Sequence, residues 1–351
     1  MGRNQQSNNQ PKIAMTKKEI AMEEMDRMPN VSNHMMAKKL HKSYPGIFPS
    51  MENARTMIRA IRGAQGNVGT KSGVGKSVTP VPRFIRETPW RSLMPKSTAE
   101  ITEPVVISGK RKVLILSDIH FPFHDEAALM VALEHGFKQG CDTVILNGDT
   151  IENYGVSRWE PDPRRRNLQH ELQTCREGLT MIRSAFPKAD IYFKFGNHDD
   201  RLEQYLKKNA PLLLDVPECS LESLLKLDEL KIKVVRSKQV IKSGNLLILH
   251  GHELPKGLAN PVCAAKRLYD RLRTTSICGH FHQHSNYTDA IGIISAGDKK
   301  VTSCWTTGCL CDLSPEYAIS NNWTHGFAIQ DMHADGNFSL FNLMIINGKV
   351  H

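Results

Sequence analysis

The sequence predicts an α/β sandwich of mixed β-sheets and helices, preceded by a small all-α module. Three observations predict this fold. From about Lys112, short apolar runs alternate with helical segments, and towards the end of the chain such runs follow one another as strands. The segment from Thr16 to about Gly63 instead has helical periodicity between turn residues. The chain of 351 residues is 40% hydrophobic, which is enough for a core.

The first part of the chain is predicted to be a tail followed by a helical module. Residues 1–12 are polar and are expected to be disordered. Residues 13–63 are expected to form three short helices that resemble a helix-turn-helix unit. Glu19 completes a capping box at the first helix. The residues expected to begin the three helices are Thr16, Ser32 and Ser50.

The basic character of the chain lies in this N-terminal part. The net charge is +10, and residues 1–100 hold 17 Lys and Arg against 7 Asp and Glu, whereas the remainder holds 29 of each. Arg55, Arg59 and Arg62 share one face of the predicted third helix. We therefore predict that this arm contacts nucleic acid. A solvated basic face on a small helical bundle is the alternative.

Residues 64–105 are rich in Gly and Pro and are predicted to be a flexible linker. Residues 73–77 look like the end of a phosphate-binding loop. We reject that interpretation because Thr70 stands where the first glycine is required and no apolar strand precedes the segment.

Residues 106–351 are predicted to form one α/β domain. The predicted helices are Glu126–Phe137, Leu168–Phe186, Arg201–Lys208, Leu221–Leu225 and Pro261–Arg273. The predicted strands are Val113–Leu116, Thr143–Leu146, Ile191–Phe195, Val234–Val235, Val240–Ile241, Leu246–Leu249, Ser276–Cys278, Ile291–Ser295, Phe327–Gln330 and Phe338–Ile346.

Clusters of potential metal ligands stand at the ends of predicted strands. They are Asp118-Ile119-His120, Gly148-Asp149, Gly196-Asn197-His198-Asp199, His250-Gly251-His252 and Gly279-His280-Phe281-His282. The Asp-x-His and Gly-Asp clusters alone are weak signals, Gly-Asn-His-Asp is more specific, and Gly-His-x-His is more specific again. Their order and their positions after strands argue against coincidence. Oxygen and imidazole donors together suit Mn²⁺, Fe or Zn²⁺ better than Ca²⁺.

In this order of clusters, from about Lys112 to at least His282, the chain resembles the calcineurin-like metallophosphoesterases. The resemblance implies a four-layer sandwich of two mixed sheets flanked by helices. It also implies two divalent metal ions, with Mn²⁺ expected and Fe, Zn²⁺ or Mg²⁺ as alternatives. The implied ligands of the first metal are Asp118, His120, Asp149 and His282. Those of the second are Asp149, Asn197, His250 and His280.

The resemblance also implies the catalytic residues. His198 would face the scissile phosphate and give a proton to the leaving group, while a water activated by the metals attacks phosphorus. Asp199 is expected to orient His198 by a hydrogen bond, or to cap the helix that begins near Arg201.

The predicted function is that of a phosphodiesterase or nuclease acting on DNA, as in the nucleases of this family, and the basic arm favours it. A protein phosphatase is disfavoured because an Asp-Arg-Gly sequence is missing after Asp149. Two alternatives stay open: a small-molecule or nucleotide phosphatase whose arm binds a partner, and an inactive DNA-binding scaffold. The arrangement of a helical arm before the phosphoesterase region also resembles phage-encoded members.

The sequence has no apolar run of about 18 residues, so we predict no membrane span. Its polar N-terminus argues against secretion and for a cytoplasmic protein of a bacterial or phage-infected cell. The eight cysteines are expected to be free thiols, with a zinc site at Cys304, Cys309 and Cys311 as a weaker interpretation.

Overall fold

The computed structural model describes residues 16–28, 31–62, 93–99, 101–158, 162–254, 262–315 and 320–351. The chain divides into two compact units, Met1–Thr98 and Ala99–His351. The predicted disordered tail and most of the predicted linker lie outside the described residues.

The described part of the first unit contains three helices: α1 (Lys17–Arg27), α2 (Asn33–Ser43) and α3 (Met51–Arg62). The predicted capping box is present, since Thr16 and Glu19 bond each other's backbone amides. The Ser32 hydroxyl likewise accepts a hydrogen bond from an amide in the first turn of α2.

A small core holds the three helices together. Met36, Leu40 and Ile58 are fully buried in it, together with Phe48 from the loop before α3. Glu24 is also buried, and its charge is balanced by Lys39 at 2.7 Å. Burial of these apolar side chains supplies most of the stability of so small a unit.

The second unit contains a seven-stranded and a six-stranded mixed sheet. The seven-stranded sheet has the order β13-β12-β11-β2-β3-β4-β5, and the six-stranded sheet has the order β1-β6-β7-β8-β10-β9. The strands are β1 (Val105–Ile107), β2 (Arg111–Leu116), β3 (Thr143–Asn147), β4 (Asp190–Lys194), β5 (Ile232–Val235), β6 (Ile241–Ser243), β7 (Leu246–Ile248), β8 (Ser276–Cys278), β9 (Ser285–Ile291), β10 (Lys300–Thr306), β11 (His325–Met332), β12 (Phe338–Ile346) and β13 (Lys349–Val350).

Helices cover the outer faces of both sheets. They are α4 (Glu126–Lys138), α5 (Leu168–Ala185), α6 (Arg201–Asn209), α7 (Leu221–Leu224) and α8 (Ala264–Leu272). The largest apolar core lies between the seven-stranded sheet and α4 and α5. A second core lies between the two sheets, and α8 packs on the six-stranded sheet through Leu268 and Tyr269. The predicted α/β sandwich of two mixed sheets flanked by helices is therefore confirmed.

Strands β2, β3, β4 and β5 run parallel to one another. Strands β7, β8 and β10 also run parallel in the other sheet. The segments after parallel strands leave a sheet at one edge, so the chemistry of this unit is concentrated there.

The predicted strand over Ile291–Ser295 is wrong. The strand ends at Ile291, and Ile294–Ala296 form a single 3₁₀ turn within the connection to β10. The strands β1, β9, β10 and β13 were not predicted because they are polar or lie at or near a sheet edge, where the apolar signal is weak. Within the described part of the chain, no helix combines the length and the apolarity needed to cross a bilayer.

Candidate metal centre

The predicted ligands follow the ends of strands from both sheets. Asp118 stands two residues after the end of β2, and Asp149 stands two residues after the end of β3. Asn197 stands three residues after the end of β4. His250 stands two residues after the end of β7, and His280 stands two residues after the end of β8. The sandwich therefore brings these side chains to one place from five turns and two sheets.

One group of donors surrounds Asp118. The His282 Nε2 atom lies 3.1 Å from Asp118 Oδ1 and 3.2 Å from His120 Nε2. The same His120 atom lies 3.9 Å from Asp118 Oδ1 and 3.9 Å from Asp149 Oδ2. The four side chains that the resemblance assigns to the first metal thus lie close together.

A second group of donors also includes Asp149. His250 Nε2 lies 3.1 Å from Asp149 Oδ2, and ligand atoms of Asp149, His250 and His280 lie within 4.8 Å of one another. The turn that carries Asn197 is joined to the same carboxylate, because the His198 amide donates to Asp149 Oδ1 at 2.8 Å. Asp149 is thus common to both groups.

Five of these residues have backbone conformations that side chains other than glycine seldom adopt. Their φ angles are positive, between 51° and 67°: Asp118, His120, Asp149, His280 and His282. Each such residue costs of order 1 kcal/mol or more, and strain of this kind clusters at functional sites. The turns are therefore shaped to aim these side chains at one point rather than to minimise local strain.

Two glycines make the close approach of these turns possible. A Cβ on Gly148, whose φ is +90°, would overlap the imidazole of His250, and a Cβ on Gly196 would overlap Asp149. Both positions therefore require glycine for steric reasons.

The electric field of the site favours positive charge. Burial by itself would raise the pKa of Asp149, but His250 and His198 hold it well below its usual range. Conversely, burial opposes protonation of His250 and His282, yet Asp149 raises the pKa of His250 to about 10 and Asp118 raises that of His282 to about 9. Paired buried carboxylates create this field, and a cation would satisfy it.

The donors fit divalent metal ions. Carboxylate oxygens, an amide oxygen and imidazole nitrogens form the combination that Mn, Fe and Zn ions accept. The Oδ1 atom of Asn197 is buried and has no hydrogen-bond partner within the described structure. A buried oxygen without a partner, in the turn whose next amide donates to Asp149, is consistent with a ligand position.

His198 stands beside these donors with its ring fixed on both sides. Its Nδ1 atom lies 2.9 Å from Glu152 Oε2, and the Arg201 guanidinium lies 3.0 Å from its Nε2 atom. The ring is 4.5 Å from that of His120 and perpendicular to it, and its Nε2 atom is 3.8 Å from Asp149 Oδ2.

Glu152 is the residue that sequence reasoning missed. It accepts from Nδ1 of His120 at 2.5 Å and from Nδ1 of His198 at 2.9 Å, and it pairs with Arg201 at 2.7 Å. Burial would raise its pKa, but His198 and His120 hold the pKa well below its usual range, so the carboxylate stays charged. Its position three residues after the predicted ligand Asp149 is the sequence feature that could have pointed to it.

Asp199 does neither of the two things that we expected of it. Its oxygens accept from the backbone amides of Asp149 (2.8 Å), Thr150 (3.1 Å), Ile151 (3.2 Å) and Gly196 (2.7 Å). Burial and the neighbouring Asp149 raise its pKa to about 7. Asp199 therefore joins the turns after β3 and β4, while Glu152 contacts the His198 ring.

The cysteines are free thiols, as predicted. Cys304 lies 3.4 Å from the Ser276 hydroxyl, and among the described residues no group of donors close enough to hold a metal ion contains Cys304 or Cys309. Cys311 instead stands behind His282, with its sulfur 3.9 Å from Nδ1. This contact joins residues 29 positions apart, and no sequence pattern indicates it.

The calcineurin-like phosphoesterase family model matches residues 111–284. Residues 111–284 belong to the calcineurin-like phosphoesterases. The phosphoesterase domain is therefore that of a hydrolase acting on phosphoester bonds, in a family that depends on two metal ions.

Other proteins are similar to this chain at lower identity. The Gene 54 protein of Mycobacterium phage L5 is 25% identical, over 62% of this chain and 88% of that protein. A dimetal phosphatase from Danio rerio is 13% identical with a TM-score of 0.35, covering 67% of this chain and 96% of its own. The nuclease MPE of Pseudomonas putida is 14% identical with a TM-score of 0.27, and the match covers 66% of this chain and 87% of the nuclease.

Proposed function

We propose that the protein is a two-metal phosphodiesterase acting on nucleic acid. The observation that carries the proposal is the pair of donor groups that share Asp149, with His198 beside them. We assign Asp118, His120, Asp149 and His282 to one metal, and Asp149, Asn197, His250 and His280 to the other. Divalent ions at such donors supply Lewis acidity, which lowers the pKa of water and neutralises charge on a phosphoryl group.

His198 is the proton donor in this proposal. Glu152 accepts from its Nδ1 atom, so the ring is held with Nε2 towards Asp149 and the donor groups. In the structure Nε2 accepts a hydrogen bond from the Arg201 guanidinium. Once a bound phosphoester draws Arg201 to its oxygens, Nε2 can take up a proton and pass it to the departing oxygen. The Arg201 guanidinium beside Nε2 adds positive charge that stabilises a phosphoryl group.

The preference for nucleic acid is supported by the N-terminal unit. The side chains of Arg55 and Arg59 on α3 are about one-third exposed and lie 3.4 Å and 3.6 Å from Glu52 of the same helix. Such weak surface pairs leave arginines able to bind phosphates. We propose that residues 13–63 bind nucleic acid, that residues 64–105 link them to the enzyme, and that residues 106–351 form the hydrolase. The side chain of Arg62 lies outside what is described.

Substrate choice tests this proposal. The full-length protein loaded with Mn²⁺ is expected to hydrolyse bis(4-nitrophenyl) phosphate and DNA faster than 4-nitrophenyl phosphate. The Arg55→Ala/Arg59→Ala variant is expected to bind DNA at least about fivefold more weakly, because two phosphate contacts are lost. A matched control, Lys138→Ala/Lys266→Ala, removes two exposed charges elsewhere.

Three outcomes distinguish the alternatives. Preference for the monoester, with no effect of the arginine changes, would indicate a small-molecule phosphatase. DNA binding without turnover would indicate an inactive scaffold. Equal effects of both double variants on DNA binding would contradict a specific role for α3.

A further inference from the structure

We propose that three aromatic side chains beside the metal centre bind the unpaired base of the nucleotide whose phosphate is hydrolysed. They are Phe123, Tyr154 and Trp323, which we call the aromatic rim. The inference rests on the proposed function and narrows the substrate to nucleotides and single-stranded nucleic acid.

Phe123 lies next to the first group of donors. Its backbone amide donates to the His120 carbonyl at 2.7 Å, and its own carbonyl accepts from the Asp312 amide at 2.9 Å. Its side chain is 36% exposed. The ring meets that of Tyr154 edge to face, with 6.3 Å between the ring centroids. A large apolar ring is thus held at the surface three residues from a predicted ligand.

Tyr154 is fixed from several directions. Its amide donates to Glu171 at 2.7 Å, and its hydroxyl accepts from the Asp162 amide at 2.9 Å. The preceding residue, Asn153, is buried and donates to the His198 carbonyl at 3.0 Å. The half-buried ring therefore keeps a defined position relative to His198, as a preorganised binding surface requires.

Trp323 flanks the same imidazoles from another segment. Its ring lies 4.2 Å from that of His282 at an interplanar angle of 65°. The following residue, Thr324, donates its amide to the His282 carbonyl at 2.8 Å. Since the Nε2 atoms of His282 and His120 are 3.2 Å apart, both parts of the rim border one donor group.

The chemistry of these three aromatic rings favours a nucleobase as their ligand. Phosphate is bound by charged and polar groups, and an aromatic ring adds little to that. A nucleobase stacks on aromatic side chains regardless of its identity, and a nucleotide carries its base one sugar away from the phosphate. A base paired inside a duplex is not accessible for such stacking, so a single strand, a strand end or a free nucleotide is favoured.

Two diesters with the same leaving group test the inference: thymidine 5′-(4-nitrophenyl phosphate) and methyl 4-nitrophenyl phosphate. The ratio of their kcat/KM values in the Mn²⁺-loaded wild type is expected to exceed about 10. Phe123→Leu and Tyr154→Leu are each expected to lower the ratio at least about fivefold, the loss typical of one stacking contact. The control is Phe341→Leu, an exposed ring on β12, whose ratio should equal that of the wild type.

A ratio that stays within twofold of the wild-type value in both rim variants, with both esters hydrolysed, would overturn the rim and leave the hydrolase intact. Hydrolysis of neither ester by the wild type would overturn the proposed function instead. In that case, calorimetry with thymidine 5′-monophosphate and with inorganic phosphate would still test whether the aromatic rim binds a nucleobase. Tighter binding of the nucleotide, weakened at least about fivefold by Phe123→Leu, supports the rim, and equal affinities contradict it.

Discussion

At the scale of single residues, His198 and Asp199 are neighbours in sequence with different roles. The His198 ring contacts Glu152 and Arg201 and faces the donor groups. The Asp199 carboxylate instead accepts hydrogen bonds from four backbone amides. Replacing His198 and replacing Asp199 should therefore have different effects on the protein.

We predict that His198→Ala keeps the fold and the bound metal but loses turnover about 10²–10⁴-fold, the usual contribution of a proton donor. Steady-state rates, with metal content measured on the same sample, check this. His284→Ala, which removes a ring bonded to the Asn342 carbonyl, is the control and should keep far more activity. Wild-type turnover in His198→Ala would contradict the assignment.

Asp199→Ala should instead lose stability, by about 2–4 kcal/mol, because buried amides of the turns after β3 and β4 lose their acceptor. Chemical denaturation compared with His198→Ala measures this. If Asp199→Ala were as stable as the wild type and defective only in turnover, the role seen in the structure would be wrong.

At the scale of elements, the two sheets are joined beneath the metal centre by a buried ion pair. Lys194, at the end of β4, is fully buried, and its ammonium lies 2.8 Å from Glu253 Oε1. Glu253 accepts from the amides of His250 and Gly251 at 3.2 Å and 2.6 Å. This pair ties the strand before Asn197 to the turn that carries His250.

We predict that Lys194→Met destabilises the protein by about 3–5 kcal/mol, since it leaves a partly buried carboxylate unpaired. Lys194→Met/Glu253→Gln should cost less than the sum of the two single changes, and a double-mutant cycle measures the coupling. Lys233→Met, which breaks an exposed pair with Asp190, should cost no more than about 1 kcal/mol. Additive effects of the two buried changes would contradict the proposed link.

The positions of three ligands at the sheet edge could be predicted from the sequence, because each ligand follows a buried apolar strand. Asp118, Asp149 and His250 follow such strands by two residues, so their place at the sheet edge followed from the pattern. Glu152 was harder to predict, because its contacts with His120 and His198 span 32 and 46 residues. Contacts of that kind depend on how the turns fold over one another, which periodicity does not encode.

Strand β9 shows the same limit at the scale of a whole element. Its residues, Ser285–Ile291, alternate between half-buried and exposed positions at the edge of the six-stranded sheet. Tertiary pairing with β10 through seven residue pairs, rather than apolar content, makes this segment a strand.

At the scale of the whole molecule, the site where side chains from the two sheets meet contains like-charged side chains that lie close together. Asp118 and Asp149 are both buried, and only positive charge near them offsets their repulsion. A ligand that binds the folded chain but not the unfolded one raises its stability.

We therefore predict that Mn²⁺ raises the melting temperature of the full-length protein and that a chelator reverses the rise. At a metal concentration 100 times the Kd, the expected gain is about 2.7 kcal/mol per site. Differential scanning calorimetry of wild type and Asp118→Asn measures it, and the variant should gain less. An equal rise in both would place the stabilising metal elsewhere.

Metal stoichiometry tests the central claim of a shared carboxylate most directly. Equilibrium dialysis against Mn²⁺ should give two tightly bound ions per chain in the wild type and one each in His282→Asn and His250→Asn. Asp149→Asn should bind neither ion tightly, because it alone serves both donor groups. Circular dichroism establishes that each variant is folded. Two tightly bound ions in folded Asp149→Asn would contradict the account.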